Sequence, residues 1–235
     1  GQAALGHPHA LMLGAVFPDV LYFLVGFPGS ARYRNFARAC HGTDGEDTYD
    51  LARHVATALP GSPFADPLWA FLTGLVSHVC TDQTFHPLVY GWTGDTEDRD
   101  PQQRSSAVSA HRHLECLVDL HFCGEKGLED HDLGRILHAL EMPLPRLLEI
   151  ISQNEAFART YPGLVPATLR ALRLYVILQT LCRKRRLAGI LDTLAPFLPR
   201  SFQETAALFY GPARDEGLSR LSGTLTYCHP LSGKT

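Results

Sequence analysis

Three candidate metal ligands stand one helical turn apart in residues 71–90, which read FLTGLVSHVCTDQTFHPLVY. His78, Asp82 and His86 are separated by four residues each, and residues four apart lie on one face of a helix. The outer two histidines would be about 12 Å apart along a helix axis, too far to share one ion. The spacing therefore predicts that they bind different metals, with Asp82 bridging between them.

A second candidate chelating pair follows in SAHRHLECLVDL, where His111 and Glu115 are again four residues apart. A carboxylate buried without a partner is costly, and no Lys or Arg lies one turn from Asp82. Two carboxylates on otherwise apolar helices therefore favour cations nearby. Imidazole and carboxylate are ligands of zinc, so the two pairs together predict a zinc centre.

The alternative is that these side chains only stabilise the fold. Taken singly, a histidine on an apolar helix is more often a hydrogen-bonded core residue, and Glu115 could pair with Arg112. The joint pattern favours the metal centre, because His41 lies at a helix break and Asp19 follows Pro18. All but one of the twelve histidines precede position 140. His113, outside the His111 stripe, is expected to lie at the surface or to support a ligand, and not to bind a metal itself.

The elements that must position these residues are predicted to be helices. Asp66 and Pro67 suit the first turn of a helix over residues 66–89, a polar loop is expected over 90–106, and a second helix over 107–122. Further helices are expected at 130–140, 144–157, 166–194 and 202–208, and alternating β-branched runs are absent. We expect an all-α fold forming a single domain over 1–235, with metal ligands concentrated in 9–122 and a helical remainder over 124–235.

Composition limits the classes of partner. The net charge is −3 and the pI near 6.5, which gives no broad attraction to nucleic acid, so no nucleic-acid partner is expected and phosphate recognition must be local. There is no apolar run long enough to span a membrane. Six cysteines without a C-x-x-C pair favour a reducing compartment. We expect a cytoplasmic protein, or an exported one if a signal precedes this segment, which begins without Met.

In order, these residues resemble the zinc-dependent phospholipase C family, which includes the N-terminal domain of glycosylphosphatidylinositol phospholipase D. The segment LGAVFPDVLYF is similar to the family's Gly-x-x-x-Pro-Asp segment, and GLVSHVCTDQTFHP is similar to its His-x3-Asp helix that ends in His-Pro. The resemblance covers roughly residues 9–122. A closing CHPLSGKT string and helical character extend it weakly into the second half.

The resemblance implies a helical fold around two or three zinc ions, with the metal site between buried helices. One ion would be held by His41, His78 and Asp82, and a second by His86, His111 and Glu115. Asp19 would be a general base or a further ligand. The third site of the family needs an early histidine and an N-terminal residue. Only His7 and His9 stand upstream here, ten to twelve residues before Asp19, so they are its candidate ligands unless the true ones precede this segment.

The chemistry that these expectations favour is hydrolysis of a phospholipid headgroup or another phosphodiester, because metal cations neutralise the phosphate and acidify water. Asp19 and Asp82 would be the catalytic carboxylates, and Tyr90, Trp92 and Phe122 could line a headgroup pocket. One alternative is a metal-stabilised helical scaffold without turnover. Another is an HD-type metal phosphohydrolase, prompted by the His131-Asp132 doublet. The basic run at residues 183–186 is interpreted as a solvated face.

Overall fold

The computed structural model describes residues 2–24, 29–43, 45–197 and 199–209, and this part of the chain contains helices and no strand. The all-α prediction is confirmed. The α-helices are α1 (Gln2–Gly6), α2 (Pro8–Val16), α3 (Ser30–Cys40), α4 (Asp50–Thr57), α5 (Ala65–Thr93), α6 (Pro101–Asp130), α7 (Leu133–His138), α8 (Leu144–Ser152), α9 (Glu155–Thr160), α10 (Leu164–Cys182), α11 (Arg185–Leu194) and α12 (Arg200–Ala206). Two 3-10 segments, Phe17–Phe23 and Ala195–Phe197, follow α2 and α11. The CHPLSGKT string, with Cys228 and His229, lies outside the described residues.

The chain packs as two compact units, the first from residues 1–81 and 131–177 and the second from residues 82–130 and 178–235. The first unit has an extensive core in which Phe36, Phe71 and Leu147 are fully buried. The second has a smaller core around Cys182, Ala188 and Phe209. That residues 1–235 form one domain remains a prediction.

Helices α5 and α6 both extend beyond their predicted ends. Helix α5 continues through Pro87 to Thr93, although a proline inside a helix removes one backbone hydrogen bond. Helix α6 begins at Pro101 because Asp100 caps it, its carboxylate accepting from the backbone N–H of Gln102 at 2.7 Å. It bends at Gly124, which has a φ of 63°. The expected loop over 90–106 is therefore reduced to residues 94–100.

Helix α2 lies directly against α5 in the first unit through a pair of glycines. A side chain at Gly14 would collide with the Phe71 carbonyl, and one at Gly74 would collide with the Leu11 carbonyl. Close backbone approach of this kind requires glycine. It brings the carbonyl of Ala15, near the end of α2, within reach of a side chain on α5.

Helix α10 is the one helix in the described part that is long and apolar enough to cross a membrane by length and composition alone. A core helix of a soluble protein meets the same test. Within the first unit, Ala171 and Leu172 of this helix are fully buried.

Candidate metal centre

Asp19, His41 and His78, which we call the first triad, come together in the first unit. Asp19 lies in the 3-10 segment after α2, His41 is the C-cap of α3, and His78 lies on α5. One ligand atom from each lies within 4.8 Å of the others. The two Nε2 atoms are 3.1 Å apart, and Nε2 of His41 is 3.2 Å from an Asp19 carboxylate oxygen. Three residues distant in sequence thus present their donor atoms to one point.

Backbone carbonyls fix both imidazole rings of the first triad. Nδ1 of His41 donates to the Ala37 carbonyl at 2.7 Å, and Nδ1 of His78 donates to the Ala15 carbonyl at 2.8 Å. Because a carbonyl only accepts, the proton of each neutral ring resides on Nδ1. The two Nε2 lone pairs then face one another, and a cation between them would remove their repulsion. A ring nitrogen that donates to a backbone carbonyl while the other faces the ligand position is typical of metal-binding histidines.

The spacing of these donor atoms fits zinc. Ligands about 2.0–2.2 Å from a tetrahedral zinc ion lie about 3.3 Å from one another. The two distances from Nε2 of His41, 3.1 and 3.2 Å, are close to that value. Two imidazole nitrogens and one carboxylate oxygen also leave a coordination position open, as in catalytic zinc sites.

The second unit contains a second triad of the same chemistry, formed by His86 on α5 and by His111 and Glu115 on α6. Its ligand atoms also lie within 4.8 Å of one another. Nε2 of His111 is 3.0 Å from a Glu115 oxygen, and the rings of His86 and His111 are 5.5 Å apart between centroids. Nδ1 of His111 is buried and has no hydrogen-bond partner among the described residues. The donor set again fits a divalent zinc ion.

Tyr90 contacts both histidines of the second triad, with ring centroids 5.3 Å from His86 and 5.5 Å from His111. Partial burial is the main cause that raises the pKa of its phenol. The negative charges of Asp82 and Glu115 raise it further, and a hydrogen bond with Thr96 opposes them. Tyr90 is therefore a neutral hydrogen-bond donor at neutral pH, beside the triad.

Asp82 lies on α5, four residues after His78 and four residues before His86. Its carboxylate lies in the second unit, 3.8 Å from Nε2 of His86. The carboxylate of the first triad is that of Asp19, and the expected set of His41, His78 and Asp82 stays a prediction. The bridging role of Asp82 stays a prediction.

His9, a candidate for the third site, is bound to a carboxylate that sequence reasoning missed. A Glu141 oxygen lies 2.8 Å from Nδ1 of His9, and the Glu141 carboxylate accepts from the backbone N–H groups of His9 and Ala10. Partial burial alone would raise the pKa of Glu141, but the hydrogen bonds from His9 and Ala10 and one from its own backbone together lower it. Glu141 thus caps helix α2. No local sequence pattern predicts this cap, because Glu141 lies more than 130 residues from the groups it contacts.

His7 has a buried Nδ1 without a hydrogen-bond partner in the described residues, and the third-site roles of His7 and His9 stay predictions. Arg112 donates to the Glu204 carbonyl at 2.8 Å, and the close partner of Glu115 is His111. The alternative in which Glu115 pairs with Arg112 is therefore not supported by a close contact between the two side chains.

The His131-Asp132 doublet has a structural role. The Asp132 carboxylate accepts from the backbone N–H of Arg135 at 3.0 Å and caps α7. Neither residue belongs to a group of ligand atoms that could hold a metal in the described part of the chain. The HD-type alternative is not supported by a metal site.

The aromatic residues proposed for a headgroup pocket are exposed. Trp92 and Phe122 have large exposed surfaces, and their place in such a pocket stays a prediction. Tyr22, which sequence reasoning missed, lies beside the first triad with its ring centroid 5.6 Å from that of His41. Its position within the LGAVFPDVLYF segment, three residues after Asp19, is the signal that points to it.

Comparison with known protein families identifies a match. The model of a family described as zinc dependent phospholipase C matches residues 2–155, about two thirds of the chain. This range contains both triads, Asp82 and Glu141. No curated protein and no solved structure matches the chain significantly.

Proposed function

This chain belongs to the zinc-dependent phospholipase C family, and on that premise we propose that it hydrolyses phospholipid headgroups or related phosphodiesters with zinc as cofactor. The observation that carries the proposal is the first triad, in which backbone carbonyls hold two Nε2 lone pairs 3.1 Å apart beside a carboxylate. A structural histidine pair would not need both lone pairs directed at one point. The arrangement supports a cation-binding role.

In this proposal the first triad would hold one zinc ion and the second triad another. Bound zinc supplies positive charge that neutralises the phosphate, and it acidifies a water ligand toward a pKa of about 7. The Ala15 and Ala37 carbonyls keep the two imidazoles of the first triad in the tautomer that exposes Nε2 to the ligand position. Both triads are partly exposed to solvent, which gives a substrate access to them.

The carboxylates and Tyr90 have separate roles in the proposal. Asp19, whose oxygen is 3.2 Å from Nε2 of His41, serves as a ligand in preference to a general base. Asp82 keeps the proposed bridging and catalytic role, with His86 as its neighbour at 3.8 Å. The neutral phenol of Tyr90 donates a hydrogen bond to a phosphoryl oxygen. His86 and His111, which pack on its ring, orient it.

The test combines metal content with turnover. Elemental analysis of the purified protein is expected to give at least two zinc ions per chain, and a chelator should abolish hydrolysis of a chromogenic phosphocholine ester until zinc is restored. His41→Ala and His111→Ala are each expected to lose one zinc ion and to lower turnover by at least about 100-fold. Circular dichroism checks that helix content is unchanged.

His121→Ala is the matched control, because this exposed histidine of α6 lies outside both triads and should retain metal and turnover. Full zinc content and full hydrolysis in His41→Ala would contradict the proposal. A single zinc ion that resists chelation, with no hydrolysis, would instead support the scaffold alternative.

A further inference from the structure

Helix α11 has apolar residues on two sides, and only one side is covered. Ala188 is fully buried in the core of the second unit, with Leu187 and Leu191 packed against the same core. Ile190 and Leu194 lie outside it, with 57% and 46% of their surfaces exposed. A surface helix normally carries polar residues on the side away from its core. The outer side of α11 therefore has the composition of a contact surface.

The exposed apolar side continues beyond the end of α11. Phe197 in the following 3-10 segment is 84% exposed, and the spacing of Arg186, Ile190, Leu194 and Phe197 is that of one helical stripe. We call these four residues the α11 outer face. Around it lies a shallow depression of about 550 Å³, lined by Arg186, Gly189, Ile190, Thr193 and Leu194.

Basic residues stand at one end of the α11 outer face. Arg183, Lys184 and Arg186 fall within four positions, and no acidic residue occupies the first turn of α11. Lys184 and Arg186 are exposed. Neither forms an ion pair with any residue in the described ranges. The face thus combines hydrocarbon with the positive charges of Lys184 and Arg186, for which the described residues provide no ion-pair partner.

The positive charge of the α11 outer face indicates which kind of partner it fits. Residues 210–235 carry three basic side chains, Arg214, Arg220 and Lys234, against two acidic ones, Asp215 and Glu216. Taken as a whole, this segment has one more basic than acidic side chain and so does not complement a basic surface. A second copy bound through a twofold contact would either bring the two basic ends together or set each against the apolar end of the other face, and neither arrangement supplies an acidic partner. Nucleic acid would satisfy the cations but would leave Ile190, Leu194 and Phe197 without an apolar partner.

We propose that the α11 outer face docks on an anionic phospholipid surface. Ile190, Leu194 and Phe197 enter the boundary between headgroups and acyl chains, while Lys184 and Arg186 pair with lipid phosphates, the division of roles found in interfacial helices. The face lies beyond the residues that match the family, so docking does not depend on the proposed hydrolysis. With an overall charge of −3, the attraction must come from this local cluster.

The test is co-sedimentation of the full chain with vesicles of phosphatidylcholine containing phosphatidylserine, compared with phosphatidylcholine alone. Binding is expected only to the anionic vesicles and should weaken as salt is raised. Lys184→Gln combined with Arg186→Gln should weaken it by about 25-fold, at about fivefold for each cation. Ile190→Ser combined with Phe197→Ser should weaken it by about tenfold or more.

Two controls locate the effect. Trp69→Ser removes an aromatic residue that is also about half exposed, but on helix α5, and it should leave binding unchanged. His41→Ala should likewise bind as the unmodified chain does, which separates docking from hydrolysis. All variants change exposed or partly exposed residues, and sedimentation in the absence of vesicles monitors their oligomeric state.

Equal loss of binding in Trp69→Ser, or no loss in both α11 double variants, would overturn the proposal. It would also be overturned if Ile190→Ser with Phe197→Ser converted a dimer into a monomer, because the face would then join two copies. Binding of an oligonucleotide in preference to anionic vesicles, abolished by the Lys184 and Arg186 changes, would assign the face to nucleic acid instead.

Discussion

The contact between helices α2 and α5 leaves no room for a side chain at Gly74, so Gly74→Ala is a direct test of how the first triad is positioned. An added Cβ would collide with the Leu11 carbonyl and would lie 2.7 Å from the backbone nitrogen of Ala15 and 2.9 Å from Cα of Gly14. Ordinary contact begins near 3.4 Å. Since all three neighbours are backbone atoms, α2 must move by more than the roughly 0.7 Å that contact with the Ala15 nitrogen alone requires, because the Leu11 carbonyl is closer still.

The expected cost follows from two opposing effects. Alanine is favoured over glycine inside a helix by about 1 kcal/mol. Overpacking typically costs about 1–3 kcal/mol, and a collision between two backbones belongs at the upper end. The net loss is therefore about 2 kcal/mol, which lowers Tm by about 4–8 °C in a chain of this size.

The same movement should reach the metal site. The Ala15 carbonyl, which holds Nδ1 of His78 at 2.8 Å, moves with α2. Loss of a hydrogen bond that orients a metal-binding histidine typically lowers metal affinity by about 10–100-fold. Gly74→Ala is thus expected to bind zinc at least about tenfold more weakly.

Thermal unfolding followed by circular dichroism, together with zinc titration against a chromogenic chelator, measures both effects. Gly189→Ala is the control, because Gly189 is helical but an added Cβ would meet nothing within 4 Å. It should raise stability by about 1 kcal/mol and leave zinc affinity unchanged. A Gly74→Ala protein that is as stable as the unmodified chain and binds zinc equally well would refute the packing argument.

Two further predictions concern single side chains. Glu141→Gln should destabilise the protein by about 1 kcal/mol at neutral pH, because the anion that caps α2 is lost. Since folding lowers the pKa of Glu141 from 4.5, its contribution is present above pH 4.5 and is lost as the pH falls through the lower folded value. Urea unfolding of the unmodified and Glu141→Gln proteins at neutral and acidic pH should show that their difference in unfolding free energy vanishes in acid. An equal difference at the two pH values would contradict the prediction. Burial is the main cause that raises the pKa of the Cys40 thiol to about 12, and the charges of Asp19 and Asp50 add to it. In the native protein, iodoacetamide should therefore modify the exposed Cys80 and spare Cys40, which mass spectrometry would reveal. Modification of Cys40 before Cys80 would be inconsistent with the fold.

The local features of this protein could be predicted from its sequence. Periodicity and capping residues predict helices, and pairs of ligands four residues apart fall on one helical face whatever the rest of the chain does. His111 and Glu115 are such a pair, and their side chains meet at 3.0 Å. The ends of α5 and α6 are less well predicted, because Asp100, which caps α6, falls within a segment that the sequence predicts to be a loop.

The tertiary structure alone decided which distant groups meet. Asp19 lies beside His41 and His78, since the close packing of α2 on α5 carries the Pro-Asp segment to that place. The same packing brings the Ala15 carbonyl to His78, and Glu141 reaches helix α2 from more than 130 residues away. Spacing along the chain fixes neighbours on one helix. Contacts between helices depend on the shapes of whole packed surfaces, which no local pattern of residues encodes.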